Sequence, residues 1–183
     1  METVSELLPP TRTLLGPGPS NVPARVLGAL ANPVIGHLDP EFIRLMDETK
    51  EMLRFVFQTN NPLTLPISGT GSAGMETCFV NLIEPGDEVL IGVNGVFGGR
   101  MKAVVERCGG KAIVMEAPWG TVFTPDDLRA GIERCSRPKI VALVHAETST
   151  AAWQPIAELS EIVHAAGALF LVDSVTFLGG CPL

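Results

Sequence analysis

The chain has 183 residues, of which 46% are hydrophobic and 18% charged, and its mean hydropathy is +0.31; this composition excludes a disordered chain and suits one domain, or one large domain cut short. A formal charge of −7 and an isoelectric point near 4.9 argue against nucleic acid or an anionic membrane surface as a partner, while leaving room for a small anion held by local dipoles. Cys78, Cys108, Cys135 and Cys181 form no C-x-x-C pair and read as reduced thiols of a cytosolic protein.

The first residues, METVSELLPPTRT, carry acids and no apolar h-region, so no signal peptide is expected. No apolar run reaches the ~18 residues of a membrane span. PPTRTLLGPGPSNVP is rich in Pro and Gly and reads as an ordered arm over residues 1–22. DPEFIRLMDETKEMLRFVF is the clearest helix. Phe42, Leu45, Met46, Leu53 and Val56 fall at helical spacing, Asp39 is a cap, and Pro40 takes the first position. Strand and helix signals then alternate. LTLPI is a strand, SAGMETCFVNLI a helix, EVLIGV a strand, and VFGGRMKAVVERC a helix. KAIVME is a strand, and TPDDLRAGIERC a helix capped by Thr124. KIVALVHA is a strand, PIAELSEIVHAA a helix, and ALFLVD a strand. Several strands are continuous apolar runs, as in sheets covered on both faces. The expected fold is α/β, with three layers around a mostly parallel sheet.

In such sheets ligands sit beyond the carboxyl ends of the strands. Four stretches therefore matter. PISGTGSAGME packs Thr70, Gly71 and Ser72 into a turn that opens a helix, where free N–H groups and the helix dipole suit an anion. A tight turn that needs glycine only for steric reasons is the alternative. Gly69, Gly71 and Gly74 also spell G-x-G-x-x-G, the fingerprint of a dinucleotide-binding oxidoreductase. The acidic ribose ligand this requires after the next strand is missing, because EVLIGV leads to Asn94. VNGVFGGR places Phe97 where it either stacks on a planar ligand or fills a core or lid position. VHAETSTAAWQP sets His145, Glu147, Thr148, Ser149 and Thr150 after an apolar strand, with His145 more readily a satisfied structural residue than a base. LVDSV delivers Asp173, a turn cap or a ligand-binding carboxylate. No His/Asp/Glu cluster has metal-ligand spacing.

An anion cradle, a flat face, a row of hydroxyls and a carboxylate on one sheet edge match the phosphate, ring, 3-hydroxyl and pyridine nitrogen of pyridoxal 5′-phosphate. A carboxylate at the ring nitrogen keeps it protonated and makes the ring an electron sink.

LLGPGPSNVP, VFQTNNPLTLPISGTGSAGMET, NLIEPGDEVLIGVNGVFG, VHAETSTAAWQP and LVDSVTFLGG together resemble the class-V aminotransferases of fold type I, in particular the alanine–glyoxylate and serine–glyoxylate (serine–pyruvate) enzymes. The likeness runs from about Leu14 to the last residue. It implies that residues 23–183 are an incomplete pyridoxal-phosphate-binding large domain and that the small C-terminal domain lies outside the chain. It implies that Thr70, Gly71 and Ser72 hold the phosphate and that Phe97 stacks on the ring. Thr148 would neighbour the ring hydroxyl, Asp173 would pair with the ring nitrogen, and Val175 would cover the opposite face. Gly18, Ser20 and Asn21, in the GPGPSN loop, would line the substrate pocket. The substrates would be a small amino acid, alanine or serine, and a 2-oxo acid, glyoxylate, in a cytoplasmic or peroxisomal homodimer.

Two residues depart from the family pattern. Phe177 replaces a small polar residue and adds bulk beside the expected site, and Ala151 stands where glycine is common. The lysine that anchors the cofactor has no counterpart: Lys50 and Lys102 fall within helices, and Lys111 and Lys139 precede strands, at the sheet edge opposite the cofactor. The resemblance puts that lysine after the strand that follows Asp173. The expectation is a fragment that keeps much of the cradle and is inactive alone, or a non-catalytic piece acting by subunit association.

Overall fold

The computed structural model describes residues 6–182, so residues 1–5 of the expected arm and Leu183 lie outside the described residues. The chain falls into two units, one ending at Ile43 and one beginning at Arg44. The first holds the Pro/Gly-rich segment, a short helix α1 (Ala24–Ala29), and the start of α2 (Pro40–Val56). The periodic pattern does not announce α1, whose six residues carry no capping side chain. At the start of α2 the Asp39 carboxylate accepts the Glu41 N–H at 2.8 Å, so the expected cap is present.

The second unit continues through α3 (Gly71–Leu82), β1 (Glu88–Val93), α4 (Val96–Arg107), β2 (Lys111–Glu116), α5 (Pro125–Glu133) and β3 (Pro138–Val144). A two-strand hairpin, β4 (Ala146–Glu147) and β5 (Ala152–Trp153), precedes α6 (Ala157–Ala165) and β6 (Leu169–Asp173). Four strands form a parallel sheet in the order β2-β1-β3-β6.

Alternate residues of the central strands feed two cores. Val89 and Ile91 of β1, with Ile140, Ala142 and Val144 of β3, pack with Met75 and Phe79 of α3 and Met101 and Val105 of α4. Leu90, Val141 and Leu143 face the other way, onto Leu128 of α5 and Leu159 and Val163 of α6. Both faces of β1 and β3 are covered, which is why neither reads as alternating. Each fully buried aliphatic side chain in these layers contributes roughly 1.5–3 kcal/mol.

LTLPI is not a strand. Residues 63–67 are irregular, and the Thr64 N–H bonds back to Pro62 O at 3.0 Å. Pro66 removes a donor from the middle of the run, and among the described residues no strand pairs with it. The segment is pinned instead by Arg54, whose Nε and Nη2 donate to Asn61 O and Pro62 O, each at 3.0 Å.

The capping of α5 is as expected and reciprocal. The Thr124 hydroxyl accepts the Asp127 N–H at 3.2 Å, and the Asp127 carboxylate accepts the Thr124 N–H at 2.8 Å. The Thr124 hydroxyl also donates to the Asp127 carboxylate at 2.7 Å, and this bond, with that from the Thr124 N–H, holds the Asp127 carboxyl below its ordinary range. Thr124→Ala is expected to cost about 1–2 kcal/mol in chemical denaturation. A depressed carboxyl adds stability above its unfolded value and loses it as pH falls. The deficit of the variant should therefore shrink on acidification.

Candidate functional site

In a parallel sheet ordered β2-β1-β3-β6, the carboxyl ends of β1, β3 and β6 lie side by side. Val144, the last residue of β3, is in register with Asp173, the last of β6. The start of α3 comes to the same edge: a Cβ on Gly71 would lie 2.6 Å from Val175 Cγ2. Glycine at 71 thus has a steric reason, close approach to the loop after β6. No side chain caps the first turn of α3 behind Thr70, so its N–H groups are available to an anion.

Ser72, on that turn, accepts a bond from Arg100 Nη1 at 2.5 Å. The Arg100 guanidinium stands 4.8 Å over the Phe97 ring. Phe97 and Arg100 are one turn apart on α4, the spacing that brings side chains together. The same cation acts on Asp173. Sequence reasoning missed Arg100, although the i,i+3 relation to Phe97 was available to it.

Asp173 is half-buried. Its Oδ1 accepts the Val175 N–H at 3.0 Å, and its backbone carbonyl accepts the His145 N–H at 2.9 Å. Burial raises the carboxyl above its ordinary range and the nearby Glu147 charge adds to this, while the Val175 N–H and Arg100 oppose it. A carboxylate that is costly to ionise alone gains most from a cationic partner. Val175 is 65% exposed beside it.

The hydroxyl row divides. Thr148 is hydrogen-bonded through its hydroxyl to that of Thr176, which ties the hairpin to the loop after β6. Ser149 turns instead toward α4, accepting the Val96 N–H at 3.0 Å. His145 is buried, with Nδ1 3.2 Å from Ser174 Oγ, and burial lowers its pKa. Phe177 is buried. Its ring stacks on His145 at 3.8 Å and on Trp153 at 5.9 Å, locking the loop that carries Val175.

Ala151 has φ +57, a left-handed conformation that disfavours residues with a Cβ. Ala151→Gly is expected to stabilise the chain by about 0.5–1 kcal/mol, read as a higher denaturation midpoint. A fall in the midpoint would show that the strain has no energetic weight.

Gly18, Ser20 and Asn21 belong to the other unit. Asn21 there closes the loop on itself, accepting the Leu14 N–H and donating to Arg12 O, both at 2.8 Å. Among the described residues no lysine pairs with Asp173. Lys50 pairs with Asp47, Lys102 with Glu106, and Lys139 with Asp87. Lys111 opens β2, and Lys139 lies near the start of β3, at the sheet edge opposite the carboxyl ends. Among the described residues no group of His, Cys, Asp and Glu is arranged to hold a metal ion, and no helix is long and apolar enough to cross a membrane.

The donor set has anion-binding N–H groups beside a guanidinium, an aromatic face, and a carboxylate that gains from a cation. It fits a ligand that joins a phosphate to a flat basic ring. It does not fit a dinucleotide ribose. The residue after β1 is Asn94, not an acid; it is 2% exposed and its amide nitrogen donates to Thr121 O at 2.8 Å.

A family model described as Aminotransferase class-V matches residues 13–183. The chain is 46% identical over 178 residues to the (S)-ureidoglycine–glyoxylate transaminase of Bacillus subtilis (strain 168), covering 97% of this chain and 42% of that protein. It is 44% identical over 174 residues to the alanine–glyoxylate aminotransferase of Mus musculus, covering 95% and 42%. Among solved structures, the alanine–glyoxylate aminotransferase of Nostoc sp. superposes with a TM-score of 0.96 at 50% identity, covering 99% of this chain and 48% of that one. The chain spans about half the length of the relatives it matches.

Proposed function

The chain belongs to the class-V aminotransferases, pyridoxal-phosphate-dependent enzymes, and from that premise we propose that it forms the cofactor-cradling half of a glyoxylate transaminase. The observation that carries this reading is the meeting at one sheet edge of the open α3 terminus, Arg100, Phe97 and the Asp173 carboxylate. Bound pyridoxal phosphate supplies the electron sink that lets an amino group leave one carbon skeleton and join another. The residues of this chain hold it. Thr70, Gly71 and Ser72 offer N–H and hydroxyl donors to the phosphate, with Arg100 beside Ser72 as counter-charge. Phe97 and Val175 flank the ring. Asp173 keeps a proton on the ring nitrogen. Thr148 neighbours the ring hydroxyl.

The overall reaction moves an amino group from the donor to glyoxylate, giving glycine and the 2-oxo acid of the donor. Glyoxylate is the acceptor named for both the Bacillus subtilis and the Mus musculus relatives. Alanine, serine and ureidoglycine are the donors to compare. In this reading the cofactor lysine, the rest of the substrate pocket and the small domain belong to the half of the relatives that this chain does not span, Gly18, Ser20 and Asn21 line the substrate pocket, and the assembled enzyme is a homodimer.

A protein of the relatives' length carrying this segment should form glycine from glyoxylate and one of these donors. Its absorbance should respond to pyridoxal phosphate and not to NAD. A response to NAD alone would replace this reading with the oxidoreductase one. The 183-residue chain by itself is expected to form no glycine above a no-protein control.

A further inference from the structure

Glu147 takes no part in the cradle, yet it is the most enclosed acid near it, at 1% exposure. Its Oε2 accepts the backbone N–H of Phe97 at 3.0 Å and of Gly98 at 3.3 Å. Its Oε1 accepts from Ser149, the N–H at 3.2 Å and the hydroxyl at 2.7 Å. Among the described residues its hydrogen-bond partners are all neutral, so N–H and O–H donors and the positive end of α4 hold the charge.

Helix caps are normally local, supplied by the residue just before the first turn. That residue here is Gly95, which offers no side chain, and α4 has no acid of its own in its first turn. The cap comes instead from a residue fifty positions away. Gly95 is required for it: a Cβ there would stand 2.3 Å from Glu147 Cγ. The helix start that carries Phe97 is therefore fastened to the hairpin beyond β3, the strand paired with β6, which ends at Asp173.

We propose that Glu147 is a positioning residue that sets the Phe97 ring for stacking on a planar phosphorylated ligand, acting through the Phe97 and Gly98 N–H groups. The inference rests on the cofactor reading above. The probe is pyridoxamine 5′-phosphate, which has no aldehyde to react with surface lysines. Glu147→Gln, of the same shape but without the charge and with one acceptor fewer, should weaken binding to the chain about tenfold. Amide exchange at Phe97 and Gly98 should accelerate relative to the β1 amides. In a Phe97→Ala background the same change should alter affinity less than twofold, because the ring through which it acts is gone.

Equal losses with and without the Phe97 ring, or unchanged affinity in Glu147→Gln, overturn the inference and leave the cofactor reading standing. No binding of the probe by the unchanged chain overturns that reading and the inference together. Ser149→Ala loosens the carboxylate without removing it. It gives the same test in a milder form, with a loss of two- to fivefold confined to chains that keep Phe97, should Glu147→Gln not fold.

Discussion

Gly98→Ala is expected to destabilise the chain by roughly 3 kcal/mol or more, enough to leave a large unfolded fraction at moderate urea. Gly98 lies in the first turn of α4, where helical backbone suits any residue, so its conformation does not explain the glycine. Space does. A Cβ at 98 would stand 2.5 Å from Gly92 O and 2.9 Å from Val93 Cα. Both are backbone atoms of β1, which is paired on both sides, to β2 and β3, and cannot swing aside as a side chain would. The helix would have to lift from the sheet, opening the packing of Met101 and Val105 over Ile91 and Val144. Gly99 is the control. It follows directly in the helix, and a Cβ there meets nothing within 4 Å, so Gly99→Ala should be neutral or gain up to about 1 kcal/mol from helix propensity. Similar effects of the two substitutions in urea denaturation would show that the contact with β1 is not what fixes the glycine.

How much of this was legible in the chain depends on how far apart the interacting residues are. β1 and β3 were readable because their unbroken apolar runs report two covered faces. Thr124 and Asp39 were readable because a cap and its target lie within three residues. The LTLPI segment has strand composition, but a strand is defined by its neighbour, and the described chain has none for it. Asp173 could be placed at a strand end, yet its electrostatic surroundings come from Arg100 and Glu147, which no local pattern links to it. The distant cap of Glu147 on Phe97 leaves only one trace, a glycine at the N-cap of α4 where a polar residue is usual. Phe177 was expected to crowd the site from its size alone. Its partners, His145 and Trp153, draw it into the protein, and burial of an aromatic between two others outweighs an exposed position beside a cleft.

Asp173→Asn should raise the stability of the chain at neutral pH while weakening ligand binding about 10- to 1,000-fold. The first half follows from the sign of the shift. Burial, with the Glu147 charge behind it, raises the Asp173 carboxyl above its ordinary value of 3.8. The folded chain then binds this proton more tightly than the unfolded chain. Stability is lost as pH rises from the unfolded value through the folded one, and the full cost is present at neutral pH. Asparagine removes the charge and still accepts the Val175 N–H, so the urea midpoint at pH 7 should rise. Below about pH 3, under both carboxyl values, the two chains should converge. The second half follows from the partner the carboxylate lacks in the free chain. A protonated pyridine nitrogen against Asp173 would add a contact ion pair to a partly buried charge that the Arg100 cation and the Val175 N–H only partly offset, worth roughly 1–3 pK units to the ring. Without the carboxylate, pyridoxamine 5′-phosphate should bind more weakly by that factor, and its ring nitrogen should titrate lower in the complex. An asparagine variant less stable at pH 7 would place Asp173 among the residues that hold the fold together. Higher stability with unchanged affinity would remove it from the cradle. Gain of stability and loss of binding in one substitution is what a carboxylate placed for a cationic ligand predicts, since its burial costs the fold stability that contact with the ligand's cation offsets.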